Sequence, residues 1–253
     1  MKGVLIDLDG VVYQNDTLIA GADQAIAWLQ QESIPHLFLT NTTSRPKSAL
    51  LAKLADMGIM VAAKSLLTPP AAAVLYLRQR TVKDVALFVP ESTREDFAGL
   101  TEGRKAAAVV VGDLAEGWDF ATLNRAFNAL MANPQTELIA LGMTRYWRSN
   151  NSLQLDVGAF ATALAFATEK EPVVMGKPAA AFFQQAAALL NLPEGELCMI
   201  GDDIKADVLG AQACGIKGIL VKTGKYRDGD LAFGRPDLVL ESLEHLPSHW
   251  HRL

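Results

Sequence analysis

The sequence is short of cysteine, of basic charge and of long apolar runs, and each shortage excludes a class of protein. Two cysteines, Cys198 and Cys214, in 253 residues make no disulfide framework. Cys198 falls in an apolar strand pattern and Cys214 at a helix end, so both read as buried free thiols. Lysine and arginine total 23 against 28 aspartate and glutamate, a formal charge of −5, which argues against a nucleic-acid partner needing a basic stripe. No apolar run approaches the roughly 20 residues of a membrane span, so no membrane partner is expected. The opening "MKGVLIDLDG" lacks the apolar stretch and cleavage site of a signal peptide, and a cytoplasmic location is expected. Internal repeats and low-complexity linkers are also missing.

What is present is apolar alternation. Half of the residues are hydrophobic, enough for one large domain or two modest ones. "GVLID", "PHLFLTN" and "KSLLT" read as strands, and "ADQAIAWLQQE", "RPKSALLAKLADMG" and "PPAAAVLYLRQR" as helices between and after them. That order predicts a parallel α/β sheet, with ligands at the carboxyl ends of its strands. "DVALFVP", "AAAVVVG" and "TELIALG" read as further strands, with a helix over 120–131. Few residues in that middle stretch look chemically equipped, which suggests a lid or scaffold rather than the reaction centre. From Pro172 the first style resumes: "PVVMGKP", "LCMIGDD" and "KGILVKTG" as strands, with helices over "PAAAFFQQAAALLN" and "IKADVLGAQACG". An α/β core over 1–78 and 173–253, with an α/β insertion over 79–172, accounts for this better than two tandem domains.

Four predicted strand ends carry unusual residues. "VLIDLDGVVY" ends an apolar run in Asp7 and Asp9, two apart and so on one strand face, followed by Gly10, which lets backbone N–H groups close on an anion. Taken alone this is also an ordinary Asp-Gly turn. "LFLTNTTSRP" offers the Thr40 hydroxyl and the Asn41 backbone, although Thr43 or Ser44 serves equally as an N-cap before Pro46. Lys177 stands between Gly176 and Pro178, where a surface lysine is the commoner case. "MIGDDIKAD" supplies Asp202, Asp203 and Asp207. Helix-start acid explains Asp203 well and Asp202, at the strand-to-loop junction, less well. In one parallel sheet these ends share an edge. Crowded carboxylates repel and shift one another's pKa, and a divalent cation removes that difficulty. Mg²⁺ takes oxygen ligands, commonly one or two carboxylates with phosphate and water.

The order "DLDGV", "TN", "GKP", "GDDIKAD" resembles the haloacid dehalogenase (HAD) superfamily of phosphatases across essentially the whole chain. The insertion between "TN" and "GKP" resembles the larger α/β cap of the NagD-like branch (subfamily IIA). "TNTTSRP" and "GILVKTGKY" are similar to the group around phospholysine phosphohistidine inorganic pyrophosphate phosphatase. The resemblance implies a Rossmann-like parallel-sheet core with an inserted cap, acting on a small phosphorylated substrate. It makes Asp7 the nucleophile that forms an aspartyl-phosphate and Asp9 the general acid and base. It gives Lys177 the role of offsetting charge, and Thr40 with the backbone of Asn41 that of holding a phosphate oxygen. Mg²⁺ would be bound by Asp7, the main-chain carbonyl of Asp9, and Asp202. Asp207 and Asp203 would support from behind.

One departure stands out. Where many NagD-like sequences carry an Asn-Pro-Asp type segment, this chain has "MTRYWRS". Arg145, Tyr146, Trp147 and Arg148 could meet an anionic or planar leaving group, or form a surface hairpin. The departure keeps phosphoramidates and pyrophosphate open beside phosphate esters. Competing readings are a phosphomutase or other phosphotransferase of the same superfamily, a receiver-like signalling protein without turnover, and a non-catalytic binding protein on the same fold. The insertion after "TN" favours the phosphatase, and a receiver of about half this length has no reason for a lid. Exposed apolar cap residues would suit a homodimer. His245, His249 and His251 in "HLPSHWHRL" lack matching acid or cysteine spacing, so a solvated tail is expected there rather than a metal site.

Overall fold

The structure, a computed structural model, describes residues 1–253 except Arg104 and 149–151, and without the side chains of Trp147 and Arg148. Six helices of eight or more residues are described: α1 (Ala22–Gln31), α2 (Lys47–Asp56), α3 (Pro69–Gln79), α4 (Phe120–Met131), α5 (Val157–Thr168) and α6 (Ala180–Leu190). The chain divides into two compact units. One comprises Met1–Thr40, Ser48–Leu67 and Lys177–Leu253, and the other Asn41–Lys47 and Thr68–Gly176.

The first unit is built on a six-stranded parallel sheet. From one edge to the other its strands are Leu238–Leu240, Lys217–Val221, Leu197–Gly201, Gly3–Asp7, His36–Leu39 and Leu66–Leu67. The strand Gly3–Asp7 is central, buried throughout, and pairs Ile6 with Phe38 on one side and with Ile200 on the other. Strands buried on both faces read as continuous apolar runs, which is why "VLI" and "CMI" show no alternation. Successive side chains still point to opposite faces. Val4, Ile6, Phe38, Ile200 and Ile219 pack with Ile26 and Leu29 of α1 and Leu50 and Leu54 of α2. Leu5 and Asp7 therefore face the other way. The C-terminal histidines lie on short helical turns, where Leu246 is buried and Trp250 meets Trp28 edge-on at 6.0 Å. That segment is anchored by its apolar residues and is not the loose solvated tail expected.

The second unit holds a five-stranded parallel sheet ordered Val173–Val174, Glu137–Ala140, Ala108–Val111, Asp84–Phe88, Thr101–Glu102. Helices α4 and α5 cover one face through Ala126, Leu130, Val157, Ala161 and Leu164. Trp118 stacks between Phe88 and Phe160, with ring centroids 6.0 and 5.0 Å away. Helix α3 starts at Thr68, whose Oγ1 accepts from Ala71 N, with Pro69 and Pro70 in its first turn. It packs within this unit, where the Tyr76 hydroxyl donates to Glu137 Oε1 at 3.4 Å under the Arg80 guanidinium. "PVVM" contributes its strand here as well, paired with Glu137–Ala140. The sequence reading gave both segments to the core. A short apolar parallel strand reads the same in either sheet, and only its partner decides.

Candidate active site

The central strand delivers Asp7 at its carboxyl end, and the neighbouring strands deliver Thr40 on one side and Asp202 on the other. All three are buried. The strand stops at Asp7. Beyond it the chain turns, with Val12 N donating to Leu8 O at 2.9 Å and Gly10 N to Tyr13 O at 2.7 Å. Asp9 lies in this turn and is exposed, so the two-residue strand alternation that paired it with Asp7 does not extend to it.

Lys177 does not follow a strand of this sheet, because "PVVM" belongs to the other one. It enters the first unit in the segment before α6, joined to Pro178 by a cis peptide bond. Its ammonium lies 2.5 Å from Asp7 Oδ1 and 2.6 Å from Asp207 Oδ1. Asp207 comes from a π-helical turn over Ile204–Leu209 rather than the plain α-helix expected from "IKADVLGAQACG". That wide turn brings Asp207 Oδ2 back to accept from Asp203 N at 3.1 Å. Gly201 is required there, since a Cβ on it would fall 2.1 Å from Asp207 Cβ. Asp203 caps the turn, its Oδ1 accepting from Lys205 N and Ala206 N at 3.0 Å each.

Asp202 lies between two glycines. A Cβ on Gly10 would lie 1.9 Å from Asp202 Oδ2, and one on Gly224 would lie 2.1 Å from it. Both glycines have positive φ, +89° and +59°, where other residues are strained. Lys225 N donates to Asp202 Oδ2 at 2.7 Å. The Lys225 side chain is exposed, with Nζ 3.7 Å from Asp203 Oδ2, beside a cleft of about 220 Å³. Sequence reasoning missed Gly224 and Lys225 as parts of this site. "KTGKY" was visible, but a backbone donor leaves no mark on residue type.

The electrostatics are unbalanced. Asp7, Asp202 and Asp207 are buried, and Lys177 is the only buried cationic side chain among the described residues. Burial pushes Asp202 and Asp207 up to about 6, and it holds Asp7 above the usual carboxylate range against the pull of Lys177. Burial alone would lower Lys177, but Asp207 and Asp7 outweigh it and keep the ammonium charged far above its ordinary range. Carboxylate oxygens of Asp7, Asp202 and Asp207 lie within 4.8 Å of one another. Asp202 Oδ1 is buried with no hydrogen-bond partner among the described residues. A bare buried carboxylate oxygen costs free energy unless something fills it, and a hard divalent cation takes oxygen donors of this kind. The residues fit such an ion. Asp207 suits a supporting position better than a ligating one, since Lys177 takes one of its oxygens and Asp203 N the other.

Asn41 and Arg145 belong to the second unit, and both are exposed. Tyr146–Arg148 pairs antiparallel with Leu153–Leu155, and the Arg145 guanidinium lies 6.0 Å from the Tyr146 ring centre. The Trp147 and Arg148 side chains lie outside the described residues. No described helix is long and apolar enough to cross a membrane.

Comparison with known proteins settles the family. The profile of the family described as haloacid dehalogenase-like hydrolase matches residues 4–100, and a HAD-hydrolase-like profile matches 174–246. The phospholysine phosphohistidine inorganic pyrophosphate phosphatase of Rattus norvegicus is 34% identical over 98% of this chain and 95% of its own. The chain belongs to the haloacid dehalogenase-like hydrolase family. Haloacid dehalogenase-like hydrolase domain-containing protein 2 of Bos taurus is 37% identical over the same shares, 98% and 95%. Among solved structures, p-nitrophenyl phosphatase from Archaeoglobus fulgidus superposes with a TM-score of 0.88 at 26% identity, covering 98% of both chains. The haloacid dehalogenase-type phosphatase read from the motifs stands with these matches, and NagD from E. coli K-12 shares the fold, with a TM-score of 0.85 at 21% identity over 96% of this chain.

Proposed function

We propose that the chain is a Mg²⁺-dependent phosphatase that hydrolyses a small phosphorylated substrate through an aspartyl-phosphate on Asp7. The observation that carries this reading is the cluster of three buried carboxylates, Asp7 and Asp207 on the Lys177 ammonium and Asp202 beside them, with Asp202 Oδ1 buried and without a hydrogen-bond partner among the described residues. In this reading Asp7, Asp202 and the main-chain carbonyl of Asp9 hold the cation, which supplies positive charge against the phosphoryl oxygens.

A carboxylate oxygen of Asp7 attacks phosphorus in line, and the bond from phosphorus to the leaving oxygen breaks. Asp9 gives its proton to that oxygen. Exposure in the turn suits Asp9 to exchanging protons with substrate and water. Asp9 then takes a proton from a water. The resulting hydroxide attacks phosphorus, the bond to Asp7 breaks, and phosphate leaves. Lys177 offsets charge on Asp7 and the phosphoryl group, while Asp207 holds Lys177 in place. Thr40 and the Asn41 backbone take a phosphate oxygen, and Arg145 meets the leaving group.

The named relatives guide the choice of substrates, since one is named for phospholysine, phosphohistidine and pyrophosphate and another for p-nitrophenyl phosphate. The test is turnover of p-nitrophenyl phosphate with Mg²⁺, followed by a panel of phosphate monoesters, pyrophosphate and phosphoramidates. Chelator should abolish turnover and added Mg²⁺ restore it. Asp7→Asn should remove turnover and leave the circular dichroism spectrum unchanged. Full activity in Asp7→Asn from a clean preparation would falsify the nucleophile assignment.

A further inference from the structure

We propose that Thr223, Gly224 and Lys225 form a clamp that fixes the rotamer of Asp202 and leaves its Oδ1 open for the cation. The inference rests on the reading of Asp202 as a metal ligand and adds a positioning role outside the carboxylate set.

Thr223 Oγ1 donates to the carbonyl of Gly10, tying the loop to the turn that follows Asp7. Gly224, at φ +59°, lies so close that a Cβ on it would be 2.5 Å from Gly10 Cα and 2.1 Å from Asp202 Oδ2. Lys225 N then donates to that same oxygen at 2.7 Å. The carboxylate is thus walled by two backbones and satisfied on one oxygen only. Asp202 is 1% exposed, so solvent offers the other oxygen little. A carboxylate free to rotate would share the amide between its oxygens. Here the glycine walls and the single donor select one orientation before any ion arrives. The threonine hydroxyl sets where the donor stands, so its loss acts on Asp202 at one remove.

The test uses the full chain stripped of metal, with Mg²⁺ affinity read by titration calorimetry and the metal-free melting temperature read alongside. Thr223→Val and Thr223→Ala should each weaken Mg²⁺ binding by about 10-fold or more, the effect typical of losing a group behind a ligand. Thr223→Ser should bind as the parent chain does, and the three metal-free melting temperatures should agree. Unchanged affinity in Thr223→Val and Thr223→Ala overturns the clamp. So does loss of affinity in Thr223→Ser that matches a fall in its melting temperature. A parent chain that binds no Mg²⁺ overturns both the clamp and the metal-dependent reading. A chain that binds Mg²⁺ through the clamp but turns over no phosphate leaves the clamp standing and removes the phosphatase reading.

Discussion

Lys177 Nζ and Asp207 Oδ1 lie 2.6 Å apart, with only 3% and 2% of their side chains exposed. A pair this dry is weak support for stability while intact, because both partners gave up water to form it. It is costly to break, because the survivor stays buried without a counter-charge.

Lys177→Met should therefore destabilise the metal-free chain by about 3–5 kcal/mol, measured by urea unfolding near neutral pH. Asp7 and Asp207 would then face each other with no ammonium between them. Turnover should fall by roughly 10²–10³, the scale for removing one charge-stabilising group. A variant with the parent's midpoint and rate would show that the ammonium neither supports the carboxylates nor acts on the substrate.

Cys198 gives a prediction in alkali. Burial pushes its thiol up to about 12, from an ordinary value near 9. The unfolded chain releases this proton from about pH 9, and the folded chain holds it until about 12. The stability that the buried thiol contributes is present below pH 9 and is lost as pH rises through that window. Cys198→Ala should lose less stability than the parent between pH 9 and 11, read from urea midpoints. In the native state near pH 8, a disulfide reagent should modify the half-buried Cys214 long before Cys198. Equal modification rates would contradict the burial argument.

Phe38 tests the sheet that carries the site. It is 1% exposed, faces the cluster of Ile6, Leu29 and Leu54, and meets the His36 ring edge-on at 5.7 Å. Phe38→Ala should cost about 3–5 kcal/mol, seen as a lowered denaturant midpoint with an unchanged slope. A loss below about 1 kcal/mol would mean that the cavity collapses without penalty.

The residues that sequence made visible share one property: their type is costly where the pattern puts them. Asp7 and Asp202 each follow an apolar run that can only be a buried strand, so the acid stands out. Lys177 was legible as a residue but not by its route, because "VV" fits the edge of either sheet equally well. Helix α3 was legible as a helix, yet its unit depended on Tyr76 reaching Glu137, which no local pattern encodes. Asp207 was placed in a helix, while the π-turn that aims it arises from its bond to Asp203 N and from the gap at Gly201. Gly224 and Lys225 were hidden because their contributions are an absent Cβ and a main-chain N–H. Such contributions come from backbone shape, which depends on the complete fold.

The pairing of Gly3 with Leu197 also governs how the chain is made. During synthesis the first strand leaves the ribosome long before its partner on one side, Leu197–Gly201, which follows the whole of Thr68–Gly176. Only His36–Leu39 can join it in the meantime, so one edge stays open, a long-range closure of the kind that folds slowly. The segment Thr68–Gly176 is complete before that closing strand exists. The acid-bearing strand therefore waits, half paired, until Leu197–Gly201 has been made. Truncation before residue 197 should leave it exposed to aggregation, a hazard that belongs to the growing chain and disappears in the finished protein.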